Sequence, residues 1–253
     1  MKITFLGTGT SQGIPIIGCK CMVCNSLNPK DKRLRSSVMI EIQGKRFVID
    51  TGPDFRQQML REKVNRIDAV IYTHEHRDHI AGLDDVRAFN FIMKKKMDLY
   101  ASKHVQQSIH KQFIYVFKKK KYPGIPEVNL HTIKNKPFVI EGVEFIPILV
   151  KHMHLPIFGF RVGNFTYITD ANFISKKEKK KILGSEILVL NALRYKKHPS
   201  HFTFDEAIAQ IEEIKPKTAY LIHISHQLGL HEETEKKLSD NIRLTYDGLV
   251  LRM

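Results

Sequence analysis

The chain has 253 residues, enough to bury a substantial core in one large domain or two small ones. Hydrophobic residues make up 42% and charged residues 26%, an ordinary globular balance, and no apolar run reaches the roughly 18 residues needed to cross a membrane. The net charge of +15 points to an anionic partner, such as a phosphate ester or a nucleic acid.

Residues 2–7 read as a strand with no signal-peptide apolar region ahead of it, as expected of a cytoplasmic protein. The turn Gly7-Thr8-Gly9-Thr10-Ser11-Gln12-Gly13 lets backbone approach a ligand closely but lacks nucleotide-cradle spacing. Cys19, Cys21 and Cys24, the only cysteines, follow at C-x-C-x-x-C spacing. An odd number so spaced is not a disulfide framework; it is a metal clamp lacking one ligand. Strands are expected at 37–42 and 46–49, joined by a hairpin at Gln43-Gly44-Lys45, with a helix over 54–62.

A buried strand over 69–73 then runs into Thr73-His74-Glu75-His76-Arg77-Asp78-His79. Imidazole and carboxylate are ligands that borderline divalent metals accept. A loop leaving a strand end can aim His74 and His76 at one metal, and Asp78 and His79 at a second about 3.5–4 Å away. A helix is expected to begin at 80–91, and a short strand at 98–101. Ser102 caps a helix with Val105, Ile109, Phe113 and Val116 on one face, and a basic loop covers 118–126. A hairpin follows at 138–140 and 143–148, then strands at 158–162 and 165–169, a lysine-rich helix at 176–183 and a strand at 186–190. Thr203 with Glu206 makes a capping box ahead of another helix, and a strand at 218–222 follows. A short helix from His231 and two strands close the chain. His152, His154, Asp170 and His223 are the further ligand candidates, the last-named pair directly after strands.

Lysine supplies 29 of the 41 basic residues, much of it in runs at 94–96, 118–121 and 176–181 that read as solvated faces more readily than as a nucleic-acid site. No repeat or linker divides the chain, so a single domain over 1–253 is expected. Strand-rich hairpins interleaved with helices favour an α/β (α+β) protein with two mixed β-sheets face to face and helices outside, an αββα sandwich. The ligand candidates at strand ends would gather on one rim.

These residues resemble the metallo-β-lactamase superfamily, and within it the phosphoribosyl 1,2-cyclic phosphate phosphodiesterases of phosphonate degradation. The likeness is carried by Gly7-Thr8-Gly9-Thr10-Ser11, the cysteine loop, the motif at 74–79, Thr169-Asp170 and His223-Ile224-Ser225-His226. It implies that one divalent metal takes His74, His76 and His152, that the other takes Asp78, His79 and His223, and that Asp170 bridges them. In relatives sharing the Leu155-Pro156 and Gly159-Phe160-Arg161 pattern the ligand stands where His152 does, rather than His154. It implies a general acid at His201, with His198 the weaker candidate, and a structural Zn2+ on Cys19, Cys21, Cys24 and His226. The catalytic metals would be Zn2+ or Mn2+, the substrate a small phosphodiester such as a cyclic phosphate of ribose or a nucleotide, and the assembly a homodimer. Two rival readings are a tRNA 3′-end endonuclease of the same superfamily and a non-catalytic module that binds metal and RNA. Against the first, no long Gly/Pro-rich arm for gripping tRNA is present; against the second, the ligand set is intact.

Overall fold

The computed structural model describes residues 1–118 and 122–253. They form two compact units, one of Met1–Leu6, Ser37–Lys134 and Gly248–Met253, the other of Gly7–Ser36 and Asn135–Asp247.

The first unit is built on a seven-stranded mixed sheet. β1 (Lys2–Gly7), β2 (Ser37–Ile42), β3 (Lys45–Ile49), β4 (Ala69–Ile71), β5 (Met97–Ala101) and β6 (Val128–Thr132) cross it in order, and the chain's last strand, Val250–Arg252, pairs on the other side of β1. The β2–β3 hairpin turns where expected, with Gln43 and Gly44 at positive φ, the backbone that matches a tight turn to strand twist. From β3 to β6 the pairing is parallel. Helices Phe55–Arg61, Arg87–Met93 and Lys103–Gln112 bury Phe55, Met59, Phe89, Val105 and Ile109 in one cluster with Val48, Val70 and Leu99 of the strands.

Three expectations need correction here. The helix expected to begin at 80 is broken into Arg77–Ile80, a 3-10 stretch Ala81–Val86, and Arg87–Met93. Within it a Cβ on Gly82 would lie 2.2 Å from the Gly52 carbonyl oxygen, so two backbones meet there with no room for a side chain. The helix capped by Ser102 stops at Gln112, and a 3-10 turn, Ile114–Phe117, continues the buried face to Val116. β6 was not expected at all: as the end strand of its sheet it is mostly half-buried, which weakens its hydrophobic signal. Residues 119–121 of the expected basic loop lie outside the described residues.

The second unit holds β7 (Phe138–Ile140), β8 (Val143–His152), β9 (Leu155–Val162), β10 (Phe165–Ile168), β11 (Phe173–Ile174), β12 (Ile187–Asn191), β13 (Thr218–Ile222) and β14 (Ile242–Leu244). Their order is β11-β8-β9-β10-β12-β13-β14, with β7 paired to β8. Pairing is antiparallel from β11 to β10 and parallel from β10 to β14. The helix Phe204–Ile214 starts with the expected capping box and buries Phe204, Ala207, Ile211 and Ile214 in a cluster with Leu188, Leu190 and Leu221. The lysine-rich helix Lys176–Ile182 keeps Glu178 buried, bonded to the Leu149 amide and to Lys181, while Lys176, Lys177 and Lys180 are exposed. Two mixed sheets with helices make this the expected α/β class. Among the described residues no helix is long and apolar enough to cross a membrane.

Candidate metal centres

In the first unit β3 and β4 run parallel and end side by side, so the loops leaving them carry Asp50 and the motif at 74–79 together. His74 and His79 are buried with rings 4.1 Å apart; His76 is exposed, its ring 4.6 Å from His74. Fully buried Asp50 organises them. Its Oδ2 accepts from His79 Nδ1 at 2.7 Å and from Thr73 Oγ1 at 2.8 Å, and its Oδ1 from the Thr73 amide at 2.9 Å. Because the Thr73 hydroxyl donates to Asp50, its lone pair accepts from His74 Nδ1 at 2.9 Å. Both rings therefore carry their proton on Nδ1 and present the Nε2 lone pair as ligand, the arrangement that outer partners impose on metal-binding histidines. Burial pushes the Asp50 carboxyl up, and His79 and Thr73 oppose it. Asp78 Oδ2 lies 3.2 Å from His79 Nε2. Two donors each about 2.0–2.2 Å from one ion sit about 3.0–3.5 Å apart, so the pair suits a shared metal. Glu75, inside the motif, is engaged elsewhere, with His104 Nε2 at 2.8 Å.

In the second unit β8 ends on His152, while Asp170 and His223 lie just past the ends of β10 and β13. Asp170 and His223 have φ of 60° and 57°, and Asp50 in the first unit has 66°. Such left-handed backbone is uncommon outside glycine, although Asp and His adopt it more readily than most residues. His152 Nδ1 donates to the carbonyls of Asp170 and Ser200 at 2.7 and 2.9 Å. His223 Nδ1 donates to Ser36 Oγ at 3.3 Å, whose proton goes to the Gly9 carbonyl. The Nε2 of His223 is 3.2 Å from Asp170 Oδ1. His152 is buried, whereas His154 is exposed in the β8–β9 turn.

His201 lies among these residues, its ring 4.7 Å from that of His152 and 4.8 Å from that of His223, its Nδ1 3.7 Å from Asp170 Oδ1. Burial, then the neighbouring His223, push it down to about 2, so the ring is neutral at pH 7. His198, the weaker candidate for the acid, is half-buried, 5.0 Å ring to ring from His201. Gly9 also departs from expectation. Its backbone bridges to Arg35 and Ile224, and a Cβ there would meet Arg33 Cβ at 2.9 Å, so the close approach is to this chain's own backbone beside Ser36 and His223.

The cysteines form a separate group within the second unit. Cys19, Cys21 and Cys24 place Sγ at 3.4, 3.3 and 3.7 Å from His226 Nδ1. A tetrahedral zinc with Zn–S of about 2.3 Å and Zn–N of about 2.0–2.1 Å has S···N edges of about 3.5–3.6 Å, so the four donors fit that ion. The Cys24 backbone N–H holds the Cys21 thiol down at about 6, while burial pushes Cys24 up to about 11.

Asp50, Thr73 and Ser36 were not singled out from sequence as site residues. The one available signal was an aspartate directly following a strand, as Asp170 does.

Residues 45–224 match the beta-lactamase superfamily domain, a span that includes every histidine and aspartate considered above except His226. A crystal structure of a new diphosphatase from the PhnP family is 42% identical, covers 100% of this chain and 97% of its own, and superposes with a TM-score of 0.93. Zn(2+)-bound PqqB from Methylobacterium extorquens shares the fold at 18% identity, with full coverage of both chains and a TM-score of 0.81. An octanoyltransferase from Porphyromonas gingivalis is 41% identical over 252 residues, which are 98% of this chain and 51% of that protein. The chain thus spans about half the length of that curated relative. The metallo-β-lactamase fold implies divalent metal binding, which the donor sets here suit. With its histidine loops inside the matched domain and a relative 42% identical along its whole length, the chain belongs to the beta-lactamase superfamily and, within it, to the PhnP family.

Proposed function

We propose that the chain is a metal-dependent phosphodiesterase whose substrate is a small cyclic phosphate of ribose or a nucleotide. The observation that carries this is the anchoring of His74, His79, His152 and His223. Each has Nδ1 tied to a carboxylate, hydroxyl or carbonyl, leaving Nε2 as the ligand atom. In this reading the two units act as one hydrolase domain. His74, His76 and His152 would hold one catalytic metal, Asp78, His79 and His223 the other, and Asp170 would serve both. The catalytic metals would be zinc or manganese, and Cys19, Cys21, Cys24 and His226 would hold a structural zinc. When bound, the catalytic pair supplies charge neutralisation at the phosphoryl oxygens and an activated water. His201 delivers a proton to the leaving oxygen. It is neutral when buried alone, and a phosphodiester anion seated beside it favours the charged ring. The 42%-identical relative is described as a diphosphatase, which supports a phosphate-directed hydrolase.

A substrate panel on purified chain loaded with zinc or manganese tests the reading. The panel holds a ribose 1,2-cyclic phosphate, 2′,3′-cyclic nucleotides, a nucleoside diphosphate, precursor tRNA and a β-lactam. Cyclic phosphates should give the highest kcat/KM. Cleavage of precursor tRNA without turnover of any small ester would replace this reading with the endonuclease one.

A further inference from the structure

We infer that His198 positions substrate, its Nε2–H donating a hydrogen bond to an oxygen of the leaving alcohol next to the one released. This rests on the phosphodiesterase reading above. The loop between β12 and the helix Phe204–Ile214 brings the His198 ring 5.0 Å from that of His201, which in turn lies 4.7 Å from His152 and 4.8 Å from His223. The rings thus lead from two proposed metal ligands, through the proposed acid, to a half-buried imidazole. Ser200 settles the tautomer of that imidazole. Its backbone N–H, which can only donate, meets His198 Nδ1 at 3.3 Å, and its hydroxyl lies 3.1 Å from the same atom. Nδ1 is therefore an acceptor, and the neutral ring carries its proton on Nε2. Among the described residues that Nε2–H makes no hydrogen bond.

Partial burial, then Arg194 and His152, lower the His198 pKa and keep the ring neutral at pH 7. The ring is thus a donor that keeps its proton. Its loop is also held in place: the Arg194 guanidinium donates to the Lys196 and Lys197 carbonyls at 3.1 and 3.3 Å and to Gln227 Oε1 at 2.6 Å. An N–H one ring outward from the leaving-group acid suits an alcohol with a second oxygen on a neighbouring carbon. Ribose and nucleosides offer that oxygen; nitrophenolate does not.

Two measurements test the assignment. Long-range 15N–1H NMR of the metal-loaded protein should show His198 protonated on Nε2; a proton on Nδ1 overturns the proposal. Kinetics should then compare a ribose cyclic phosphate with bis(nitrophenyl) phosphate. His198→Ala should lower the ratio of their kcat/KM values about tenfold, the effect of one lost hydrogen bond, with metal content and the pH profile retained. His198→Gln, whose amide nitrogen falls near the lost Nε2, should restore much of the ratio. His198→Asn, which mimics Nδ1, should not. An unchanged ratio, no difference between Gln and Asn, or loss of metal overturns the proposal. A wild-type protein that turns over neither ester removes the phosphodiesterase reading itself, and this inference with it, an outcome distinct from a wrong tautomer.

Discussion

The cysteine cluster and the histidine loops show two ways to prepare a metal site. In the first, Cys19, Cys21, Cys24 and His226 face one another at zinc-like edges, and four donors close the tetrahedron. Nothing is left open for substrate, so the ion would contribute folding energy and no chemistry. In the second, four of the donors are single imidazole nitrogens carried at or just past strand ends, and the surrounding protein fixes each ring: Asp50 for His79, Thr73 for His74, two carbonyls for His152 and Ser36 for His223. A closed site draws its order from its ligands. An open site needs its order from a supporting layer, because positions must stay available for substrate.

That contrast predicts opposite responses to mutation. The largest effect on activity is expected from His201→Ala, a loss of about 10²–10⁴-fold with all metals retained. The loss should shrink for a nitrophenyl ester, whose leaving group needs little protonation; elemental analysis beside kinetics reads both. If metal leaves with the ring, His201 is a ligand and the proposed set is wrong. Asp50→Asn should come next, weakening catalytic metal affinity by about 10–100-fold while the cysteine zinc stays. Metal titration of the variant checks this, and unchanged affinity would mean that the buried carboxylate supports only the fold.

Cys21→Ser should reverse the pattern. One zinc per chain is lost and Tm falls, by about 2–4 °C for each kcal/mol of stability removed, while activity at low temperature changes little. Full thermal stability with full zinc content would break the distinction between the two kinds of centre.

The smallest effect is expected at Glu178, away from both centres. Burial pushes its carboxyl up, but Lys181, Asn135 and the Leu149 amide outweigh burial and hold it below its usual 4.5. A depressed folded pKa adds stability above the unfolded value, and that stability is lost as pH falls through the folded one. Glu178→Gln should therefore cost on the order of 1–3 kcal/mol at pH 7, and the difference from wild type should vanish in acid. Urea melts at a series of pH values would show it; a constant difference would assign the effect to packing.

The spacings that identify this protein are local, and the amino-acid sequence determined them alone. C-x-C-x-x-C, H-x-H-x-D-H and the Thr203–Glu206 capping box each lie within a few residues, where covalent geometry limits what the side chains can do. The same holds for the strands ahead of His74 and His223, whose apolar runs Ala69-Val70-Ile71-Tyr72 and Ala219-Tyr220-Leu221-Ile222 are continuous. Tertiary structure decided what depends on residues far apart in the chain. Asp50 reaches Thr73 and His79 only because β3 and β4 pair in parallel, and Ser36 reaches His223 only because the Gly9 backbone bridges Arg35 and Ile224. The last strand joins β1 from the opposite end of the chain, and no local pattern marks that pairing. The left-handed turns at Asp50, Asp170 and His223 belong to the same class, since Asp and His tolerate that backbone without dictating it and the surrounding structure selects it.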